Sequence, residues 1–179
     1  IFNDAGTIAS MVMEALVVLR ELASDYEVIV VENGSTDYAW DVLDELERLY
    51  GENGVDTRDR GRVRIIRFAE ALDYGGALRA GFAACRYDLI FYTDGDGQYD
   101  VRELRSLYAA LEREESAGRR VDVVMGNKIT RRDPAHRRFI SFAYHHLMRF
   151  VFRFDVHDVD CDFRLIKRQI FDRIVLTQN

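Results

Sequence analysis

The segment Asp88–Gln98, DLIFYTDGDGQ, joins a run of apolar residues to a polar turn that is rich in oxygen atoms. Residues 88–93 are typical of a strand that is covered on both faces. The turn then places Asp94, Asp96 and Gln98 at the carboxyl end of this strand, where α/β sheets bind their ligands. These oxygen donors suit Mg²⁺ or Mn²⁺, and the intervening glycines let a phosphate approach the backbone. A solvated turn before the next helix is the alternative interpretation.

The apolar residues on both sides of this segment predict that strands alternate with helices. The predicted helices are Ile8–Leu22, Tyr38–Tyr50, Gly75–Cys85 and Val101–Glu115, and the predicted strands are Glu27–Val31, Val63–Phe68, Asp88–Thr93, Val121–Met125 and Phe163–Ile166. Such an alternation is typical of an α/β domain with a mostly parallel sheet flanked by helices. The polar loops Glu32–Asp37 and Asp94–Asp100 both follow strands, so we expect them to meet at one edge of the sheet.

Composition limits the class of protein. The chain has 179 residues, is 48% hydrophobic and contains one proline, which fits a single globular domain. Its net charge of −6 argues against a general nucleic-acid partner. No apolar run is long enough to span a membrane. Because no first strand precedes Ile1–Asp4, we expect one domain over residues 1–179 that is truncated at both ends.

Three more polar segments have two interpretations each. The side chains of Glu32–Asp37 can accept hydrogen bonds from a base or ribose, or cap the following helix. Tyr74–Ala77 opens a helix whose amides can contact a phosphate, or whose small residues pack closely. Asp158, Asp160 and Asp162 alternate, as on the solvated face of an edge strand, and one of them can instead act as a base or orient an acceptor.

A basic and aromatic segment lies between these motifs. Seven Lys and Arg residues and one acid, Asp133, occur from Lys128 to Arg153. Within this block, Arg137–Phe154 is either a core helix whose arginines reach water or an interfacial helix whose cations meet anionic lipid or a phosphate. The sequence leaves both interpretations open.

In their order, these motifs resemble the family 2 glycosyltransferases, and within them the polyprenyl-phosphate (dolichyl-phosphate-mannose-synthase-like) branch. The matching stretches are FND at 2–4, VVENGSTD at 30–37, DYGGALRAG at 73–81, TDGDGQ at 93–98, GNK at 126–128, RRFIS at 137–141 and DVDCDFRL at 158–165. The resemblance implies a GT-A fold and a divalent metal, Mg²⁺ or Mn²⁺. It implies inverting transfer from a UDP- or GDP-sugar to a lipid phosphate at the cytoplasmic face of a membrane.

The resemblance, with the residue chemistry above, also implies roles for individual residues. The expected nucleotide-sugar contacts are Asn3, Asp4, Glu32, Ser35, Asp37, Tyr74, Gly75, Asp94 and Gly95. The expected metal ligands are Asp94, Asp96 and Gln98, and the expected catalytic residues are Asp96 and Asp158. The expected contacts to the acceptor phosphate are Lys128, Arg137 and Ser141, with the membrane surface met by Arg137–Phe154.

The chain departs from the family pattern at several positions. Glu32-Asn33 replaces Asp-Asp, Tyr74 stands near the place of a helix-opening Lys, and Asp162 stands where Gly is usual. Transfer to a sugar hydroxyl, with Asp158 as base, is one alternative function. A sugar-1-phosphate nucleotidyltransferase and a catalytically dead membrane-surface scaffold are two others.

Overall fold

The computed structural model describes residues 1–126 and 161–174, and in these ranges helices and strands alternate along the chain. The helices are α1 (Ala5–Leu22), α2 (Ala39–Tyr50), α3 (Tyr74–Ala84) and α4 (Leu104–Ser116), and the strands are β1 (Val28–Asn33), β2 (Val63–Phe68), β3 (Leu89–Thr93), β4 (Val123–Met125) and β5 (Phe163–Lys167). Short 3-10 helices cover Val101–Glu103 and Arg168–Asp172. The predicted elements in these ranges are therefore confirmed, with small shifts of their bounds. None of the helices described is long and apolar enough to cross a membrane.

The strands form two sheets. β1 and β2 pair in parallel, with Val28 opposite Val63 and Asn33 opposite Phe68. β5 lies between β3 and β4 and runs antiparallel to both. The α/β class is confirmed, whereas parallel pairing is confirmed only for β1 and β2. An unbroken apolar run indicates that both faces of a strand are covered, which is common in parallel sheets, but β3, which has this pattern, pairs antiparallel with β5.

Helix α1 contributes to both hydrophobic clusters in the described part of the chain. Its residues Ile8, Val12 and Leu16 pack in the cluster that contains β1, α2 and the start of β2. Val18, on another side of the same helix, is fully buried in the cluster formed by α4 and β5. The two sheets are therefore held together through α1, since burial of these side chains favours both contacts.

An apolar cavity of about 650 Å³ lies between β1 and β3, with α1 and α3 on its sides. The first residue lies at one end of it: the Ile1 amino group donates to the Val31 carbonyl (2.6 Å), and the Asn33 N–H donates to the Ile1 carbonyl (3.1 Å). This is the bonding of a parallel strand pair. A β-carbon at Gly95 would collide with Ile1, which brings the end of β3 against the same residue. The predicted absence of a first strand before Ile1–Asp4 is not tested by these contacts and stays a prediction.

Leu16→Ala tests the role of α1. Leu16 is 2% exposed and packs in the cluster around β1, so its truncation should lower the free energy of unfolding by about 2–5 kcal/mol. Met13, on the same helix, is 52% exposed, and Met13→Ala should change it by less than about 0.5 kcal/mol. Urea unfolding followed by circular dichroism measures both. Equal losses for the two variants would contradict the packing described.

Candidate functional site

Asn3 fastens the N-terminal segment to the loop that follows β1. Its backbone is left-handed, with φ 60°, a conformation that Asn tolerates better than most residues. Its Oδ1 accepts the N–H groups of Thr36 (2.7 Å) and Asp37 (3.3 Å), and its own N–H donates to Ser35 Oγ (3.0 Å). The structure therefore brings Asn3 and Ser35 together, as the sequence predicted.

Asp37 caps two helices at once. One carboxylate oxygen accepts the N–H of Ala5 (3.1 Å) at the start of α1, and the other accepts the N–H of Ala39 (3.0 Å) at the start of α2. A carboxylate at a helix N-terminus satisfies free N–H groups and interacts favourably with the helix dipole. The capping interpretation of this loop is confirmed for Asp37, and its contact with a nucleotide stays a prediction.

Glu32 and Asn33 brace the loops around the site. Glu32 is fully buried, and its Oε1 accepts the N–H of Ser35 (2.5 Å). Its Oε2 is buried without a hydrogen-bond partner in the described part of the chain. An ionised carboxylate accepts several hydrogen bonds, so Glu32 retains capacity to accept one more. Asn33 donates to the Leu72 carbonyl (3.0 Å) and accepts its N–H (2.8 Å), which an Asp side chain cannot do.

The acidic turn, residues 94–98, follows β3 and is tied to the N-terminus of α1. Thr7 Oγ1 donates a hydrogen bond to the Gly95 carbonyl at 2.6 Å. Inside the turn, Asp96 Oδ1 accepts the Gln98 N–H at 2.9 Å. Because Asn3 and Thr7 belong to one short segment, the loop after β1 and the turn after β3 lie on the same side of the molecule. The predicted proximity of these two loops is confirmed, although β1 and β3 belong to different sheets and the loops therefore do not share one sheet edge.

Negative charge accumulates beside this turn. Burial raises the pKa of Asp94, and the charges of Asp162 and Asp96 add to the effect, while a hydrogen bond from Tyr74 opposes it. Burial lowers the pKa of the Ile1 amino group, and the charges of Asp4, Glu32 and Asp94 oppose that change. Several carboxylates therefore lie around one end of the cavity, an arrangement that favours a cation.

The residues of the turn fit a divalent cation by their chemistry. Asp94, Asp96 and Gln98 offer carboxylate and amide oxygens, the donors that Mg²⁺ and Mn²⁺ prefer. Within residues 1–126 and 161–174, no three His, Cys, Asp or Glu side chains are arranged so that they could hold a metal ion. Metal binding by Asp94, Asp96 and Gln98 stays a prediction.

Two tyrosines connect the turn to Asp162. The Tyr74 hydroxyl lies 3.1 Å from that of Tyr92 and donates to Asp94 Oδ1 at 3.3 Å, and the Tyr92 hydroxyl donates to Asp162 Oδ1. Burial raises the pKa of Tyr74 to about 12. Burial and the bond to Asp162 raise the pKa of Tyr92 as well. Sequence reasoning missed Tyr92, although its position two residues before Asp94 places both on one face of the strand.

The N-terminus of α3 shows capping and close packing, and the contact of Gly75 with a phosphate stays a prediction. Asp73 caps α3 by accepting the Gly76 N–H at 2.6 Å. Further along the helix, a β-carbon at Gly81 would lie 3.2 Å from Val31, so small residues let α3 approach β1 closely. Lys128, Arg137, Ser141, Asp158 and the segment Arg137–Phe154 lie outside the described residues, and their roles stay predictions.

These features define an α/β domain with an acidic, oxygen-rich site beyond β1 and β3. The chain belongs to glycosyl transferase family 2, whose model matches residues 2–175.

Three curated relatives are similar to nearly the whole chain. It is 29% identical to glycosyltransferase AglD of Haloferax volcanii, over 97% of the chain and 26% of that protein. It is 25% identical to dodecaprenyl-phosphate galacturonate synthase of Rhizobium johnstonii, over 98% of the chain and 48% of that protein. It is 26% identical to dolichyl-phosphate beta-glucosyltransferase of Saccharomyces cerevisiae, over 93% of the chain and 52% of that protein. The chain thus spans about a quarter to a half of their lengths.

Asn3→Ala tests the fastening of the loop. It removes the oxygen that accepts the Thr36 and Asp37 N–H groups and places Ala in a left-handed conformation that it disfavours. We expect these two amides to exchange hydrogen at least about fivefold faster, since one such bond contributes about 1 kcal/mol. Asn3→Asp is the matched control, because it keeps the accepting oxygen and should keep the protection. Unchanged exchange in Asn3→Ala would contradict the role of Asn3.

Proposed function

We propose that this chain is the catalytic domain, of GT-A fold, of an inverting glycosyltransferase that moves a sugar from a nucleotide-sugar to a polyprenyl phosphate. The observation that carries the proposal is the acidic turn, residues 94–98, held beside the loop after β1 in a chain of family 2. The acceptor is supported by two of the relatives, whose names state a dodecaprenyl or a dolichyl phosphate.

The proposed sites for the donor and the metal lie in the described part of the chain. Asp94, Asp96 and Gln98 hold Mg²⁺ or Mn²⁺, which when bound offsets the charge that develops on the departing nucleoside diphosphate. Asn3, Asp4, Ser35 and the loop after β1 surround the base and ribose. The amide of Gly75 at the start of α3 is directed toward the phosphates, as helix N-termini are toward anions.

The reaction is a direct displacement at the anomeric carbon. An oxygen of the lipid phosphate forms the new bond to this carbon while the bond to the nucleoside diphosphate breaks, which inverts the configuration. The attacking phosphate is ionised near neutral pH, so it requires positioning more than a general base. Lys128, Arg137 and Ser141 are proposed for this positioning, and Asp158 is proposed to contact the acceptor or the donor sugar.

A lipid acceptor requires that the proposed reaction take place at a membrane surface. A polyprenyl phosphate carries its reactive group at a membrane surface, so the site must reach that surface. The segment Arg137–Phe154, with aromatic and cationic residues, is proposed to meet the cytoplasmic face, where anionic lipid attracts Arg side chains.

Asp96→Asn tests the metal site. Calorimetry of UDP and GDP with and without Mn²⁺ should show that the variant loses at least roughly tenfold in Mn²⁺-dependent affinity, because a carboxylate ligand becomes neutral. Asp88→Asn is the matched control: Asp88 is exposed and precedes β3 at the end opposite the turn. Mn²⁺-dependent binding that survives Asp96→Asn undiminished would remove the metal from the proposal.

The acceptor is tested with the full-length protein, a panel of nucleotide-sugars and undecaprenyl phosphate in detergent. We expect a glycosyl phosphodiester of the lipid in the mass spectrum, and none with the lipid alcohol that lacks the phosphate, since the phosphate oxygen is the nucleophile. If a product forms only with sugar acceptors, the acceptor is a sugar hydroxyl and not a lipid phosphate. Release of pyrophosphate from a nucleoside triphosphate in the presence of a sugar-1-phosphate would indicate a nucleotidyltransferase.

A further inference from the structure

Three polar contacts run from Asp162 to the acidic turn, and they share two protons. They join Asp162 to Tyr92, Tyr92 to Tyr74, and Tyr74 to Asp94. Each phenol has one proton to donate, and an ionised carboxylate has none. The Tyr92 hydroxyl donates its hydrogen bond to Asp162. The Tyr92 oxygen can therefore only accept a hydrogen bond from Tyr74. Tyr74 can then donate either to Tyr92 or to Asp94.

The Asp162 end of this chain of contacts is held firmly. The Asp162 N–H donates to the Tyr99 hydroxyl at 3.1 Å, and the Tyr99 ring stacks on Phe163 with centroids 5.5 Å apart. Arg164, opposite Tyr92 in the β3–β5 pair, brings its Nη2 to 3.8 Å from Asp162 Oδ1. Asp162, which accepts the hydrogen bond of Tyr92, is therefore held by Tyr99 and by Arg164 of β5.

The tyrosine in the middle is also fixed. Tyr92 lies on β3, and its ring packs edge-on against Phe82 of α3 at 5.8 Å between centroids. The Arg164 guanidinium lies 5.9 Å from the centre of the same ring. Tyr74, at the start of α3, is 56% exposed beside the cavity. The hydroxyl that can choose between two acceptors is therefore that of Tyr74, which lies at the exposed end of the chain of contacts, next to Asp94.

Two departures from the family pattern meet here. Tyr74 stands near the place of the helix-opening Lys and Asp162 in the place of a Gly. They are 88 positions apart in the chain, yet both bond to Tyr92. Separate structural roles for Tyr74 and Asp162 would not explain why both contact Tyr92. A common role in one hydrogen-bonded network explains it.

We propose that Asp162 is a positioning residue that acts through Tyr92 and Tyr74 on the Asp94 carboxylate. Asp162 accepts the hydrogen bond of the Tyr92 hydroxyl, which leaves the Tyr92 oxygen available to accept from Tyr74. The Tyr74 hydroxyl donates to Asp94 in the free protein and turns to donate to Tyr92 when Asp94 binds the metal and nucleotide. The Tyr74 hydrogen bond thereby keeps the Asp94 carboxylate in one orientation before binding. When this bond breaks on binding, the Tyr74 hydroxyl still has Tyr92 as an acceptor, so no hydroxyl is left unsatisfied. This inference rests on the proposed donor and metal site.

The experiment is a double-mutant cycle on Mn²⁺ binding. Asp162→Ala is made in the wild-type chain and in the Tyr92→Phe chain, and Mn²⁺ affinity in the presence of UDP or GDP is measured by electron paramagnetic resonance. We expect Asp162→Ala to weaken binding by roughly tenfold in the wild type, as loss of a supporting partner does, and to have no further effect in Tyr92→Phe. Equal effects in both backgrounds would overturn the proposal, because Asp162 would then act independently of Tyr92.

Three controls separate positioning from folding. Asp162→Asn keeps an accepting oxygen and should restore most of the affinity. Tyr74→Phe removes only the hydroxyl of a half-exposed side chain, so it should fold and still break the connection. Tyr87→Phe, at an exposed tyrosine just before β3, should bind Mn²⁺ as the wild type does. Melting temperatures of all variants report on folding, and full affinity in Tyr74→Phe would also overturn the proposal.

The outcome for the proposed function is read separately. If the wild type binds no Mn²⁺ with either nucleotide, or Asp96→Asn binds it as well as the wild type, the metal site itself fails. If both of these behave as expected and Asp162→Ala does not weaken binding, only the role of Asp162 fails. The tyrosine absorbance gives a further readout, since moving the Tyr74 hydrogen bond on binding should change the near-ultraviolet difference spectrum, and Tyr74→Phe should lose that change.

Discussion

The N-terminal turn at Asn3 is the constraint on which the candidate site depends. A single side-chain oxygen there accepts the N–H groups of the loop after β1, and a few residues later Thr7 bonds the turn after β3. Since α1 starts within this segment and is buried in both hydrophobic clusters, the position of the two loops follows from the packing of one helix. The site is therefore as rigid as the core that α1 joins.

The order of elements could be predicted from the sequence, while the order of strands could not. β2 occupies Val63–Phe68 as predicted, because a β-branched and apolar run there lies between a polar loop and a helix start. β5 was predicted as a strand as well, but its place between β3 and β4 depends on which backbone edges meet. Side-chain periodicity carries no signal for that choice.

At the site, the sequence allowed two roles for the loop after β1, helix capping and contact with a nucleotide. Asp37 and Glu32 accept hydrogen bonds from backbone N–H groups, and their contact with a nucleotide stays a prediction. Both roles require the same oxygen after the same strand, so spacing cannot separate them. Tyr92 was missed for another reason: inside an apolar strand its hydroxyl looks like that of a core aromatic, and its partner Asp162 is 70 positions away.

The charges explain why such a site is connected to the core rather than left on a loose loop. Asp94 lies partly buried near Asp162 and Asp96, and each of these features raises its pKa. The repulsion that raises the pKa destabilises the free protein, and a divalent cation that neutralises these groups would relieve it, so binding and folding are coupled. Carboxylates on a flexible loop would move apart, and binding of a cation would then cost the conformational entropy of ordering them. The contacts of α1 and of the two tyrosines hold these carboxylates close together, so relief of their repulsion would contribute to affinity for a cation.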